Sequence, residues 1–187
     1  MHKKHFFIIF VVFVVAIFFI LLWHDNIVNR SKSESITVTS NYKNEIVLKD
    51  IVPMSDITGR SISFSEDNSD VQGYYEFEVT ANPKYKTKFE IYAIEQYYDS
   101  KIHPNYIKVY LTDEYNNPIS GYDDLSVPTF YNLKASSLNS VGKRLYYGSL
   151  KAGESKKFIL RAWVGDAYSI GKTEKNFGMK IYVDVEG

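Results

Sequence analysis

Two hydrophobic patterns divide this chain. From Phe6 to Trp23, eighteen consecutive residues (FFIIFVVFVVAIFFILLW) carry no charge, no Gly and no Pro. As a helix rising about 1.5 Å per residue, that run spans roughly 27 Å, close to the hydrocarbon thickness of a bilayer. A helix that is apolar all the way round suits lipid better than the surface of a domain. Beyond a polar stretch, Asn26 to Ser35, the period becomes two. Tyr75, Phe77 and Val79 alternate with Glu76, Glu78 and Thr80. The same alternation recurs around Phe89 and Ile91, around Ile107, Val109 and Leu111, from Phe158 to Val164, and from Phe177 to Val185. Each run predicts a strand with one buried and one wetter face.

Weaker strands are expected at Ile36–Thr39, Glu45–Ile51, Arg60–Ser65 and Leu145–Leu150. Turn signals separate them, among them Asn82-Pro83, His103-Pro104-Asn105, Asn116-Asn117-Pro118 and Ala152-Gly153. The pattern dissolves over Gly121–Val141, where a short helix or a structured loop is expected. The predicted fold is all-β: an antiparallel β-sandwich or jelly roll of about eight or nine strands, preceded by one N-terminal transmembrane helix.

Flanking charge sets the expected orientation. Lys3 and Lys4 crowd the short N-terminal side, so the positive-inside rule places the N-terminus in the cytoplasm. A cleaved signal peptide would end in small residues. Here the run ends in Trp23-His24-Asp25-Asn26, which reads as a retained anchor with Trp23 at the interface. The expected organisation is a cytoplasmic tip (1–5), a transmembrane signal-anchor (6–23), a stalk (24–35) and an extracellular β-sandwich domain (36–187). The membrane is therefore the first expected partner.

Composition narrows the chemistry. The chain is neutral, with 22 basic and 22 acidic residues. Beyond residue 23 there remain 20 Lys+Arg against 22 Asp+Glu, a formal charge of −2. Nothing in that balance points to nucleic acid. The absence of cysteine removes disulfides, thiolate metal sites and thiol catalysis. Three of the four histidines flank the apolar run, which leaves His103 alone in the outer domain, too few for a histidine zinc site. No phosphate-binding or dinucleotide motif is present, and no cofactor is expected. Acidic turns offer oxygen ligands for calcium, with Asp67, Asp70, Asp113 and Asp123 as the candidates; a solvated turn is the plainer reading.

The aromatic residues remain. Many of the tyrosines fall on the wetter register or in loops, as does Trp163. Tyr110, Trp163, Tyr182, Tyr122 and Tyr131 are the candidate binding residues, because a flat ring with a polar tip suits both sugars and protein contacts. Cross-strand aromatic packing is the competing explanation. One sugar-binding arrangement would place Trp163, Tyr110 and Tyr182 on a single flat surface.

Several segments resemble a known family. Pro53-Met54-Ser55-Asp56, the strand Tyr75–Asn82, the turn Leu150-Lys151-Ala152-Gly153-Glu154-Ser155 and the strand Lys157–Val164 are similar in layout to the camelysin and TasA-type exported β-sandwich surface proteins of Firmicutes. Met54-Ser55 departs from the glycine usual in that first turn. The resemblance implies a surface or biofilm-matrix protein that associates by adding a strand to an open sheet edge, with Ile36–Ile51 as the donor. The sequence reading is thus a non-enzymatic interaction module, with protein or self-association through a sheet edge. Carbohydrate or cell-wall glycan binding is the alternative, and a wall-directed enzyme the third.

Overall fold

The alternating runs become two sheets in the computed structural model, which describes residues 36–49, 52–63, 73–98, 101–122, 126–169 and 176–186, together with Ile17. The expected anchor and stalk lie, Ile17 apart, outside the described residues. No helix among the described residues is long and apolar enough to cross a membrane. Eight strands run in chain order: β1 (Ile36–Thr39), β2 (Glu45–Lys49), β3 (Tyr74–Ala81), β4 (Thr87–Gln96), β5 (Ile107–Thr112), β6 (Lys143–Leu150), β7 (Ser155–Val164) and β8 (Asn176–Val185). The odd-numbered strands form one antiparallel sheet in the order β1-β3-β7-β5, and the even-numbered strands form the other, β2-β8-β4-β6. Every connection therefore crosses from one sheet to the other, a winding of jelly-roll type.

The inner faces are those the period of two selects. Tyr75, Phe77 and Val79 are buried on β3, Phe89 and Ile91 on β4, and Phe158 and Leu160 on β7. Phe158 joins the layers: it stacks on Phe77 of its own sheet at 5.5 Å and meets Phe89 of the other edge-on at 6.2 Å. Offset and edge-on aromatic pairs of this kind add to burial rather than merely filling space.

Two expectations change. The segment expected as a strand at Arg60–Ser65 instead begins as the end of a short helix, α1 (Asp56–Arg60). Ser55 caps it by accepting a bond from the Thr58 amide, and Asp56 in the first turn with Arg60 in the last suits the helix dipole. The rest of the expected span, from residue 64, lies outside the described residues. Within 121–141 the only helical turn among the described residues is a 3-10 turn at Phe130–Asn132. The chain before it covers the edge of β5, bridging Thr112 to Pro118 and Lys108 to Thr129.

The second change concerns the outer faces. Every residue from Phe158 to Val164 on β7 is buried, including Ile159, Arg161 and Trp163 on the face expected to be wet. Residues 52–63 lie over that face. Met54 bridges to Gly165, and Lys108 lies 3.7 Å from Asp56. Gly59 sits on the Trp163 indole so closely that a Cβ there would fall 2.1 Å from Cε2. A side chain at position 59 has to displace the helix or the indole. Gly59→Ala is expected to destabilise the fold by about 1–3 kcal/mol in urea unfolding, whereas Ile57→Ala, at a position 85% exposed, changes it by less than about 0.5 kcal/mol.

Candidate functional site

The five candidate aromatic residues do not share a surface. Trp163 is fully buried beneath α1, and its Nε1 has no hydrogen-bond partner among the described residues. Tyr110 is buried under the Arg60 guanidinium, 4.8 Å from its ring centre. Both face outward from the odd sheet, as their register requires, but the segment above them excludes solvent. Tyr122 is buried, with its hydroxyl donating to the Leu145 carbonyl at 3.0 Å, and burial pushes its pKa up. Tyr182 is half-buried on the outer face of the other sheet, so it cannot join Tyr110 and Trp163 in one platform. Tyr131 alone is well exposed, beside His103 and with the Lys143 ammonium 5.5 Å from its ring centre.

The acidic candidates divide similarly. Asp67, Asp70 and Asp123 lie outside the described residues. Asp113 spends its oxygens on its own turn, accepting from the Tyr115 and Asn117 amides at 2.9 and 2.8 Å and from the Asn117 side chain at 3.0 Å. Slight desolvation opposes ionisation there, but those bonds outweigh it and hold the carboxyl below its ordinary value. No group of three or more potential metal ligands occurs among the described residues.

Tyr182 belongs to a closed polar cluster. Its ring stacks on Tyr92 at 5.4 Å, and the Tyr92 hydroxyl donates to Asp184 at 2.6 Å. Next to Tyr92 on the same face, Glu90 is fully buried beneath residues 134–142. The carboxylate accepts from the amide and hydroxyl of Ser137 and from Arg144 Nε at 3.0 Å. Desolvation works to raise its pKa, but the serine bonds and the arginine overcome it, and the net shift is downward. The cluster holds a loop on the sheet and closes Glu90 off from solvent.

An accessible concavity lies elsewhere, where β1 ends. Ser40 donates to the Glu76 carbonyl at 2.6 Å and accepts from the Tyr42 amide at 3.0 Å. This serine turn bends the chain off the odd sheet toward β2, where Asn44 donates to the Ile181 carbonyl. The departure opens a cleft of about 220 Å³ lined by Thr39, Ser40, Asn41, Tyr42, Glu76, Phe77, Glu78 and Lys157. That is smaller than the roughly 300–1,000 Å³ of drug-sized sites.

The cleft is held from behind. Tyr42 meets Tyr74 edge-on at 6.3 Å. Tyr74 donates from its hydroxyl to Glu76 Oε2 at 2.7 Å and lies beneath the Arg161 guanidinium, 5.6 Å from its ring centre. Arg161 is itself fixed by three neutral acceptors: the Ile62 carbonyl, Thr112 Oγ1 and Asn116 Oδ1. Burial, then the bond to Glu76, pushes the Tyr74 hydroxyl well above the ordinary tyrosine value, so it remains a proton donor. One carboxylate oxygen of Glu76 is thereby oriented before any ligand arrives.

Glu76 and Glu78 project from the same face of one strand, with Cα atoms roughly 7 Å apart along it. Glycoside hydrolysis places its two acids on opposite sides of the scissile bond. Side by side on one strand, these acids can accept bonds from neighbouring hydroxyls but do not flank a bond between them. The wet-register glutamates of β3 and the polar turn Ser40-Asn41-Tyr42 were the sequence signals for this place. Neither is a strand aromatic of the kind that marks Tyr110, Trp163 and Tyr182 in the sequence.

No protein-family model and no curated protein matches the chain. Among solved structures, two carbohydrate-binding modules from Clostridium perfringens are similar in outline. One is described as the CBM51-2 and INT domains of ZmpB (15% identity, TM-score 0.28), where the match covers 80% of this chain and 30% of that one. The other is the CBM51 of GH95 in complex with methyl-galactose (13% identity, TM-score 0.28), covering 80% of this chain and 92% of that one. Pika GITRL follows at 13% identity and a TM-score of 0.19, covering 59% and 76%. Likenesses this slight transfer no ligand and no activity.

The Glu90 cluster has a defined acid response. Because the folded-state pKa of Glu90 is depressed, its stabilisation is complete above the unfolded carboxyl value, about 4.3, and is lost as pH falls through the lower folded value. Glu90→Gln is expected to cost about 1–3 kcal/mol at neutral pH. In thermal melts the gap between variant and parent should close as pH drops below about 4.

Proposed function

We propose that this chain is a sugar-binding module without catalytic activity, held outside a cell membrane by residues 6–23. The cleft at the end of β1 carries the reading. Its rim and walls offer the groups a sugar ring uses: carboxylates and an amide oxygen to accept from hydroxyls, an amide and an ammonium to donate to them, and Tyr42 as an aromatic neighbour for a C–H face. Its volume suits one sugar ring rather than a long apolar ligand. Titrating a panel of mono- and oligosaccharides into the isotopically labelled full-length chain, in a detergent without sugar headgroups, is expected to shift the amides of Asn41, Tyr42, Glu76 and Glu78 saturably. Tyr42→Ala should weaken that binding roughly threefold to tenfold with the fold intact. A panel that moves none of these amides overturns the reading.

A second reading, association by strand addition, has its own support. β1 is a four-residue edge strand, and Val38 on it is 41% exposed. The segment expected as the donor, Ile36–Ile51, pairs within its own domain as β1 and β2, so in this reading β1 is the acceptor and a partner strand pairs with it from outside. Val38 pairs with Val79, whose backbone faces β7, so the Val38 amide points to the open side. Sedimentation of the full-length chain in detergent is expected to show concentration-dependent association that Val38→Pro abolishes. A single species across the accessible range, with no change in the variant, removes it.

A further inference from the structure

One end of the sandwich combines free positive charge with the point where the chain enters. Ile36 pairs with Ala81, so β1 begins beside the β3–β4 turn. That turn, Asn82 to Lys86, packs against the β6–β7 turn: the Gly153 amide donates to the Asn82 carbonyl at 3.1 Å, and the Ala81 amide to the Glu154 carbonyl at 2.9 Å. Both tips are shaped by local bonds. Asn82 Oδ1 accepts from the Lys84 amide at 2.9 Å, and Gly153 takes a positive φ of 71° that favours glycine. The tips therefore present their side chains from an ordered backbone.

Those side chains are Lys84, Tyr85 and Lys86 on one turn and Lys151 on the other, all exposed, with Tyr85 at 63%. None of the three lysines forms an ion pair with another described residue. Of the acids nearby, Glu186 is offset by Lys88 at 3.4 Å. Glu154 accepts from the Lys151 amide at 2.7 Å and keeps its charge, so the lysines outnumber the unpaired acid three to one. A tyrosine between two lysines is the side-chain set found at a membrane interface, where rings lie among headgroups and ammonium groups meet anionic lipid.

We infer that this end of the domain docks on the anionic lipid surface to which the chain is tethered. The inference rests on residues 6–23 being a membrane anchor. The twelve residues 24–35 separate that run from Ile36 and reach at most about 40 Å when fully extended. They carry Arg30 and Lys32 against Asp25 and Glu34, so the tether adds no net repulsion from an anionic surface. Each lysine close to such a surface contributes roughly a fivefold preference, so three give about 100-fold. Affinity of that size is weak between free partners and sufficient for a tethered one, because the tether keeps the local concentration high.

The experiment uses the full-length chain reconstituted in two kinds of vesicle, phosphatidylcholine alone and phosphatidylcholine with phosphatidylglycerol, each doped with a paramagnetic headgroup lipid. Flotation reads the anchor: a chain that fails to float with either vesicle refutes the membrane reading itself. For a chain that floats, relaxation enhancement at the amides of 84–86 and 151–153 reads the docking. The expected result is strong enhancement with phosphatidylglycerol, lost in phosphatidylcholine alone and lost on raising salt from about 0.1 M to 1 M. The triple variant Lys84→Gln, Lys86→Gln, Lys151→Gln should float equally well and lose the enhancement, a fall of about 100-fold in the docking equilibrium. Equal enhancement in the two vesicles, or enhancement indifferent to salt and to the variant, overturns the docking. So does selective binding of these lysines to a soluble anionic polymer with none at the vesicle surface.

Discussion

One central strand of each sheet, β4 over Phe89–Ala93 and β7 over Phe158–Val164, is covered on both faces, and the rest of the molecule depends on that. A two-layer sandwich without cysteine holds itself by packing alone, and an indole left on a wet face would forgo roughly 4–6 kcal/mol of burial. Trp163 points away from the shared core and is buried all the same, because residues 52–63 close over it. Arg161, beside it on that face, ties three separate segments to β7 through Ile62, Thr112 and Asn116. Burial pulls its guanidinium below the ordinary value, yet arginine starts so high that it stays charged. Glu90 does the same for the other sheet, gathering Ser137 and Arg144 over β4. A buried charge on each of these two strands therefore fastens an irregular covering that propensity alone would not place.

This double covering also marks where sequence reasoning succeeds and where it stops. The period of two selects the inner faces correctly, because one face of every strand meets the opposite sheet. It says nothing of which outer faces are wet, since that depends on segments distant in the chain. The run Phe158-Ile159-Leu160-Arg161-Ala162-Trp163-Val164 carried a signal for it: a strand exposed on one side seldom places isoleucine and tryptophan in its outer register. Read that way, Trp163 and Tyr110 would have been assigned to packing. The helix at Asp56–Arg60 was masked for a different reason. Five residues are too few for a helical period, and Ser55 with Gly59 defines it through a cap and a close approach rather than through hydrophobicity.

With the outer faces of β4 and β7 closed, the rim of the sandwich is where the accessible cleft forms. Because odd and even strands belong to different sheets, every connection crosses the rim, and the shape of each crossing decides what is exposed there. Where the connection is long and folds back to bridge the strand it leaves, as along β5, the edge is covered. Where β1 stops after four residues and Ser40 turns the chain away, the edge of β3 is left with its outward glutamates beside a polar turn. The cleft follows from a short strand and a strand change; no insertion was needed to build it.

The same reasoning explains why the cleft can be rigid while lying at an edge, which is ordinarily the loosest part of a sheet. Behind its lining Tyr74 bonds Glu76 and contacts both Tyr42 and the Arg161 guanidinium. Arg161 is immobilised by the covering that buries Trp163. The positioning of Glu76 at the cleft is therefore coupled, through two side chains, to the packing of residues 52–63 on the far part of the sheet. An edge site gains order here from an outer layer that the inner core does not require. That gives the covering a use beyond shielding an indole: it fixes the direction of one carboxylate oxygen roughly a strand's width away.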